Sequence, residues 1–73
     1  MKKYQNRLRD LRHDKDMTQA QVAEVFSMQL TQYRRYENGE SDIPLALAVR
    51  FAYFYDVSID YIAGIIDRPR KPI

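Results

Sequence analysis

Arg34 and Arg35 stand side by side in a segment whose apolar residues recur at helical spacing. Residues four apart share a helix face. Thr31 and Arg35 therefore form one stripe and Leu30 and Arg34 the stripe beside it, while Tyr33, Tyr36 and Glu37 turn the other way. A guanidinium offers a planar fork of donors that fits two adjacent acceptors, such as O6 and N7 of guanine. The methyl of Thr31 or the side chain of Leu30 fits the methyl of thymine. Taken alone, this helix suits a solvated face as well as a base-reading one.

Other chemistries lack their parts. The chain has 73 residues with no Cys and one His, His13. Disulfides, thiolate metal sites and thiol catalysis are excluded, and neither a metal nor a cofactor is expected. No nucleophile–base pair or paired carboxylates emerge, and Ser27 and His13 have no triad context, so an enzyme is not expected. No small-molecule ligand is evident. No apolar run approaches the roughly 20 residues of a membrane span. The Met1-Lys2-Lys3 start leads into alternating charge rather than an apolar targeting segment. The expectation is a cytoplasmic protein without a membrane partner.

Twelve Lys and Arg against ten Asp and Glu leave a net charge of +2. That small total hides a skew. Residues 1–16 carry six cations and three anions, residues 17–66 three and six, and residues 67–73 three and one.

The elements that must position Arg34 and Arg35 are helical throughout, and no window shows sustained strand alternation. Helix 1 is expected over about residues 3–14, with Tyr4, Leu8 and Leu11 on one stripe. Thr18 with Gln21 forms a capping box that starts helix 2 over about 19–26, burying Val22, Ala23 and Phe26. Residues 27–29 form a tight turn into helix 3, over about 30–37, which points Tyr33 and Tyr36 inward and ends at Asn38-Gly39. Pro44 starts helix 4, which runs to about Tyr55 and offers Leu45, Ala48, Val49, Phe51, Ala52 and Tyr55 to a core. Ser58 caps a short helix 5 anchored by Ile59 and Ile62, and Gly64 ends it. The fold class expected is all-α, a compact bundle of five helices in one domain over residues 1–66. Its second and third helices, at about 18–37, make a helix-turn-helix.

Several motifs then fall in register. Met17-Thr18-Gln19-Ala20-Gln21-Val22-Ala23, Tyr33-Arg34-Arg35-Tyr36-Glu37-Asn38-Gly39 and Val57-Ser58-Ile59-Asp60-Tyr61-Ile62-Ala63-Gly64 resemble the phage-repressor, Cro/Xre-type helix-turn-helix family. The resemblance runs over roughly residues 4–64. It implies a lambda-repressor-like bundle whose helix 3 lies in the major groove of double-stranded DNA. It further implies base contacts from Leu30, Thr31 and Arg35, with Arg34 at a position that is small in many members. Gln19, Gln32 and Asn38 match phosphate-contacting positions, and Glu37 matches an acidic position that pairs with an arginine of helix 1, here Arg12.

Three departures from the family pattern bear on those roles. Ser27 replaces the usual turn glycine, so the turn must carry strain or shift. Gln29 is a weak N-cap for helix 3. Glu40 and Asp42 make a loop acidic that is often basic in the family, and acids there repel phosphate.

Helix 4 is apolar all round, with Leu47, Tyr53 and Phe54 added to its core set. A helix needs one buried face, so the surplus suits either an interface or isolated surface aromatics, and the interface is the preferred reading. The expectation is a symmetric homodimer through Tyr53, Phe54, Ile62, Ile65 and Ile66, reading a two-fold operator. The basic tail 67–73 is expected to fray or to act as an electrostatic arm. The leading expectation is a sequence-specific transcriptional regulator of the repressor kind. The competing one is a protein-interaction module on the same fold, an antitoxin-like or regulator-sequestering subunit.

Overall fold

Two of the helices start where an N-cap side chain satisfies a first-turn donor. In the computed structural model, which describes residues 6–64, the helices are α1 (Leu8–Asp14), α2 (Gln19–Val25), α3 (Leu30–Glu37), α4 (Leu45–Tyr55) and α5 (Ile59–Ile62). The architecture is all-α, and no strand occurs among the described residues. Thr18 Oγ1 accepts from Gln21 N at 3.1 Å while Thr18 N donates to Gln21 Oε1 at 2.8 Å, a complete capping box. Ser58 Oγ accepts from Tyr61 N at 3.1 Å. Gln29 makes no side-chain cap to α3. Pro44 was expected to open α4 but stands just outside it in extended geometry, so the helix begins one residue later, at Leu45.

At the N-terminus α1 begins at Leu8 rather than near residue 3. The reason is local. Asn6 Oδ1 accepts from Leu8 N at 2.9 Å, which caps the chain there and holds Asn6 outside the helix. The expected contribution of Tyr4 lies outside the described residues.

The helix ends follow one rule. Asp16, Ser27, Gly39 and Asp56 all take positive φ, at 55°, 54°, 75° and 58°. Around each, two backbone bonds close a Schellman motif. After α2 they are Ser27 N to Glu24 O at 3.1 Å and Met28 N to Ala23 O at 2.9 Å. Only Gly39 among these four is visible as a stop in the sequence. Asp tolerates the left-handed region better than most residues, whereas Ser27 has no such excuse. Its left-handed backbone costs about 1–2 kcal/mol, partly offset because glycine loses more freedom on folding. Ser27→Gly therefore stabilises the chain by about 0.5–1 kcal/mol, readable as a shift of the urea midpoint with unchanged slope.

Phe51 is the centre of the core. Its ring lies 4.6 Å from Phe26 and 6.2 Å from Tyr33, both edge-on, and 6.5 Å from Tyr55 in a stacked arrangement. Leu8 and Leu11 of α1, Val22 and Ala23 of α2, Ala52 of α4, Val57 and Ile62 close around it. Two expectations for α4 change here. Leu45 is 73% exposed and Val49 also faces outward, because Ala48, Phe51, Ala52 and Tyr55 already fill the inward face. Tyr36 is half-buried against the core rather than enclosed in it.

Candidate nucleic-acid interface

The α2–turn–α3 unit presents its second helix outward because Tyr33 fixes its inner face in the core. Thr31, Arg34 and Arg35 are exposed, and Leu30 and Gln32 are half-buried. Arg34 and Arg35 also lie in the last turn of α3, where cations complement the helix dipole. The face thus carries two guanidinium groups with a hydroxyl and an aliphatic side chain one turn away.

Behind this face sits a buried charge. Glu37 is 6% exposed and Arg12 8%. Arg12 donates from Nε to Glu37 Oε2 at 2.9 Å and from Nη2 to Oε1 at 3.0 Å, a two-pronged pair, and from Nη1 to Met17 O at 2.9 Å. Arg9 Nε adds a bond to Glu37 Oε1 at 3.2 Å, and Gln19 Nε2 another at 3.0 Å. Burial alone pushes the Glu37 carboxyl up, but Arg12 first, then Tyr33, Gln19 and Arg9 beside it, outweigh burial and hold the group down to about 2. The same carboxylate raises the pKa of Arg12.

The network reaches the surface at two places. Gln19 Oε1 accepts from Arg34 Nε at 3.2 Å, joining the outer face of α3 to the start of α2. Asn38 Oδ1 accepts from Arg9 Nη2 at 2.9 Å, and Asn38 Nδ2 faces Glu40 Oε2 at 3.4 Å. The structure therefore gathers Arg12, Gln19, Arg34 and Glu37 into one connected set and leaves Thr31 and Arg35 outside it. Sequence reasoning missed both Arg9 as a second arginine on Glu37 and Gln19 as the bridge to Arg34, and helix periodicity gives no signal for the latter. The signal for Arg9 was its three-residue spacing from Arg12, which puts both on one face of α1.

The residues expected at a dimer face separate. Ile62 is 2% exposed and belongs to this chain's own core, so it is not available to a partner. Phe54 is half-buried, with its ring 5.2 Å from Phe26 and 4.9 Å from Tyr55. Tyr53 is 62% exposed and shares the outer side of α4 with Leu45 and Val49. Ile65, Ile66 and the tail lie outside the described residues.

Among the described residues, no cluster of three or more His, Asp or Glu has the grouping of a metal site. No described helix is long and apolar enough to cross a membrane.

Comparison with known proteins agrees with the helix-turn-helix fold. Residues 8–62 match the helix-turn-helix family model. Over 66 residues the chain is 41% identical to YobD of Bacillus subtilis (strain 168), an uncharacterised HTH-type transcriptional regulator. That match covers 90% of this chain and 59% of the relative. Over 62 residues it is 36% identical to RstR, the cryptic phage CTXphi transcriptional repressor of Vibrio cholerae, covering 85% of this chain and 55% of that protein. The chain thus spans a little over half the length of either relative. No solved structure matches it at a significant level.

Proposed function

The chain belongs to the helix-turn-helix family, and on that premise we propose that it is a sequence-specific, double-stranded DNA-binding transcriptional regulator of the repressor kind. Residues 1–66 form the binding unit and α3 enters the major groove. The observation that carries this reading is the exposed stripe of Thr31, Arg34 and Arg35, held outward by the burial of Tyr33. Arg35 is the principal base reader, with Thr31 and Leu30 supplying apolar contacts and Arg34 a second fork. Gln32 and Asn38 flank the stripe and belong to the phosphate-facing margin, while Gln19 stands beside Arg34 at its edge. Similarity to the repressor RstR supports repression.

A two-fold operator read by a homodimer completes the proposal. The exposed apolar side of α4, with Leu45, Val49 and Tyr53, supports a contact between copies. Sedimentation of the chain with and without the duplex tests it.

The decisive experiment is selection from a random duplex library, followed by salt titration of the winner. Sequence-specific binding gives an enriched motif and a log–log salt slope of about −0.9 per neutralised phosphate. The acidic loop favours one competing reading, a protein-interaction module. Tight capture of a partner protein without salt-dependent duplex binding would establish that module instead.

Glu40 offers a further check. Its carboxylate draws on the Asn38 amide and stands near the margin where phosphates would lie. Glu40→Gln is expected to tighten binding to every duplex roughly two- to fivefold, without changing the preferred sequence, because the repulsion it removes carries no sequence information. Parallel titrations of selected and scrambled duplexes measure this.

A further inference from the structure

We infer that Gln19 is a positioning residue for Arg34: anchored on the buried Glu37, its amide grips the Arg34 guanidinium at Nε and leaves both Nη groups for a base edge. The inference rests on the reading of α3 as the base-reading helix.

The chemistry of the amide carries the argument. A carboxylate oxygen only accepts, so the Gln19 atom 3.0 Å from Glu37 Oε1 is the donating Nε2. That choice fixes the other end. Gln19 turns its acceptor, Oε1, toward α3, where Arg34 Nε donates to it at 3.2 Å. Glu37 cannot rotate away, since Arg12 holds both of its oxygens. The orientation is thus transmitted from α1 through a buried carboxylate to α2 and out to the surface of α3.

Two consequences follow for binding. An arginine fixed by Nε keeps the paired donors that fit adjacent acceptors, and its rotamer freedom is already reduced before DNA arrives. Phosphate oxygens also accept only, so with its acceptor turned to Arg34 and one hydrogen on Glu37 the Gln19 amide has just the second Nε2 hydrogen left for them. Gln19 therefore acts on sequence choice, through Arg34, more than on phosphate affinity.

Two measurements test this on the 73-residue chain. In the free protein, the Arg34 Nε–H resonance should be resolved and slow to exchange, and Gln19→Met should broaden it and speed its exchange. Identical exchange in the two proteins overturns the tether. On DNA, the probes are the duplex selected by the wild-type chain and a scrambled duplex of equal length. Gln19→Met should weaken the selected duplex roughly tenfold and the scrambled one by less than about twofold, with the salt slope unchanged. Arg34→Ala, an exposed change, should give a similar loss, and the double variant should add little to either. Equal weakening of both duplexes makes Gln19 a phosphate contact and overturns the inference. Additive losses overturn it as well. A library that yields no enriched duplex removes the base-reading role itself, a failure distinct from a lost tether because the Nε–H comparison is made without DNA.

Discussion

Glu37→Ala is expected to destabilise the fold by about 3–5 kcal/mol, a large share of what a small domain has. The substitution strands the Arg12 guanidinium, which keeps only its bond to Met17 O in a site almost closed to water. Urea unfolding followed by circular dichroism measures the loss. Replacing both partners at once, with Arg12→Met and Glu37→Leu, should cost less than the two single changes summed, since no buried charge is then left unpaired. Acid acts on the same group. Its folded value is about 2 against 4.5 in the unfolded chain. The carboxylate's contribution is therefore complete above about pH 4.5 and drains away as the pH falls toward 2. The total is about 3 kcal/mol. A stability profile that stays flat between those limits would exclude the buried ion pair as the source.

Arg35→Ala is expected to lose about 1–3 kcal/mol on the selected duplex and to relax one base position, leaving binding to a scrambled duplex much less affected. Arg35 is exposed and its side chain takes no part in the Glu37 network, so the unfolding midpoint should not move. This separation of affinity from stability distinguishes a reader from a structural residue. Repeating the library selection with the variant shows which base pair has become permissive. Loss of affinity in equal measure on every duplex would instead assign Arg35 to the phosphate backbone.

The starts of α2, α4 and α5 were legible to within a residue because their signals are local, whereas that of α1 was not. Thr18 with Gln21, Ser58, and Pro44 each act within a single turn. Helix ends were less so, since three of the four Schellman motifs place Asp or Ser where glycine would announce the turn. The backbone takes up the left-handed conformation because the following packing requires it. The outward side of α4 was hidden for another reason. Leu45 and Val49 are as apolar as their buried neighbours, and only the position of Phe51 decides which side is enclosed. At the candidate interface, the outward stripe of α3 follows from spacing. The Arg12–Glu37 pair, implied by family resemblance, is now a geometry with distances. Gln19 to Glu37 and Arg34 to Gln19 join residues 18 and 15 positions apart, and no periodicity within one helix encodes a contact made by packing two.

The isolation of Thr31 and Arg35 from the Glu37 network also bears on how such a protein changes its target. Exposed residues whose side chains anchor nothing can be exchanged at a cost usually within about 0.5 kcal/mol. New letters can therefore be written at these two positions on an unchanged scaffold. Arg34 is different. A replacement there must also suit Gln19, so its alphabet is narrower. Retargeting by mutation should run through Thr31 and Arg35 first, with position 34 following only in company with position 19.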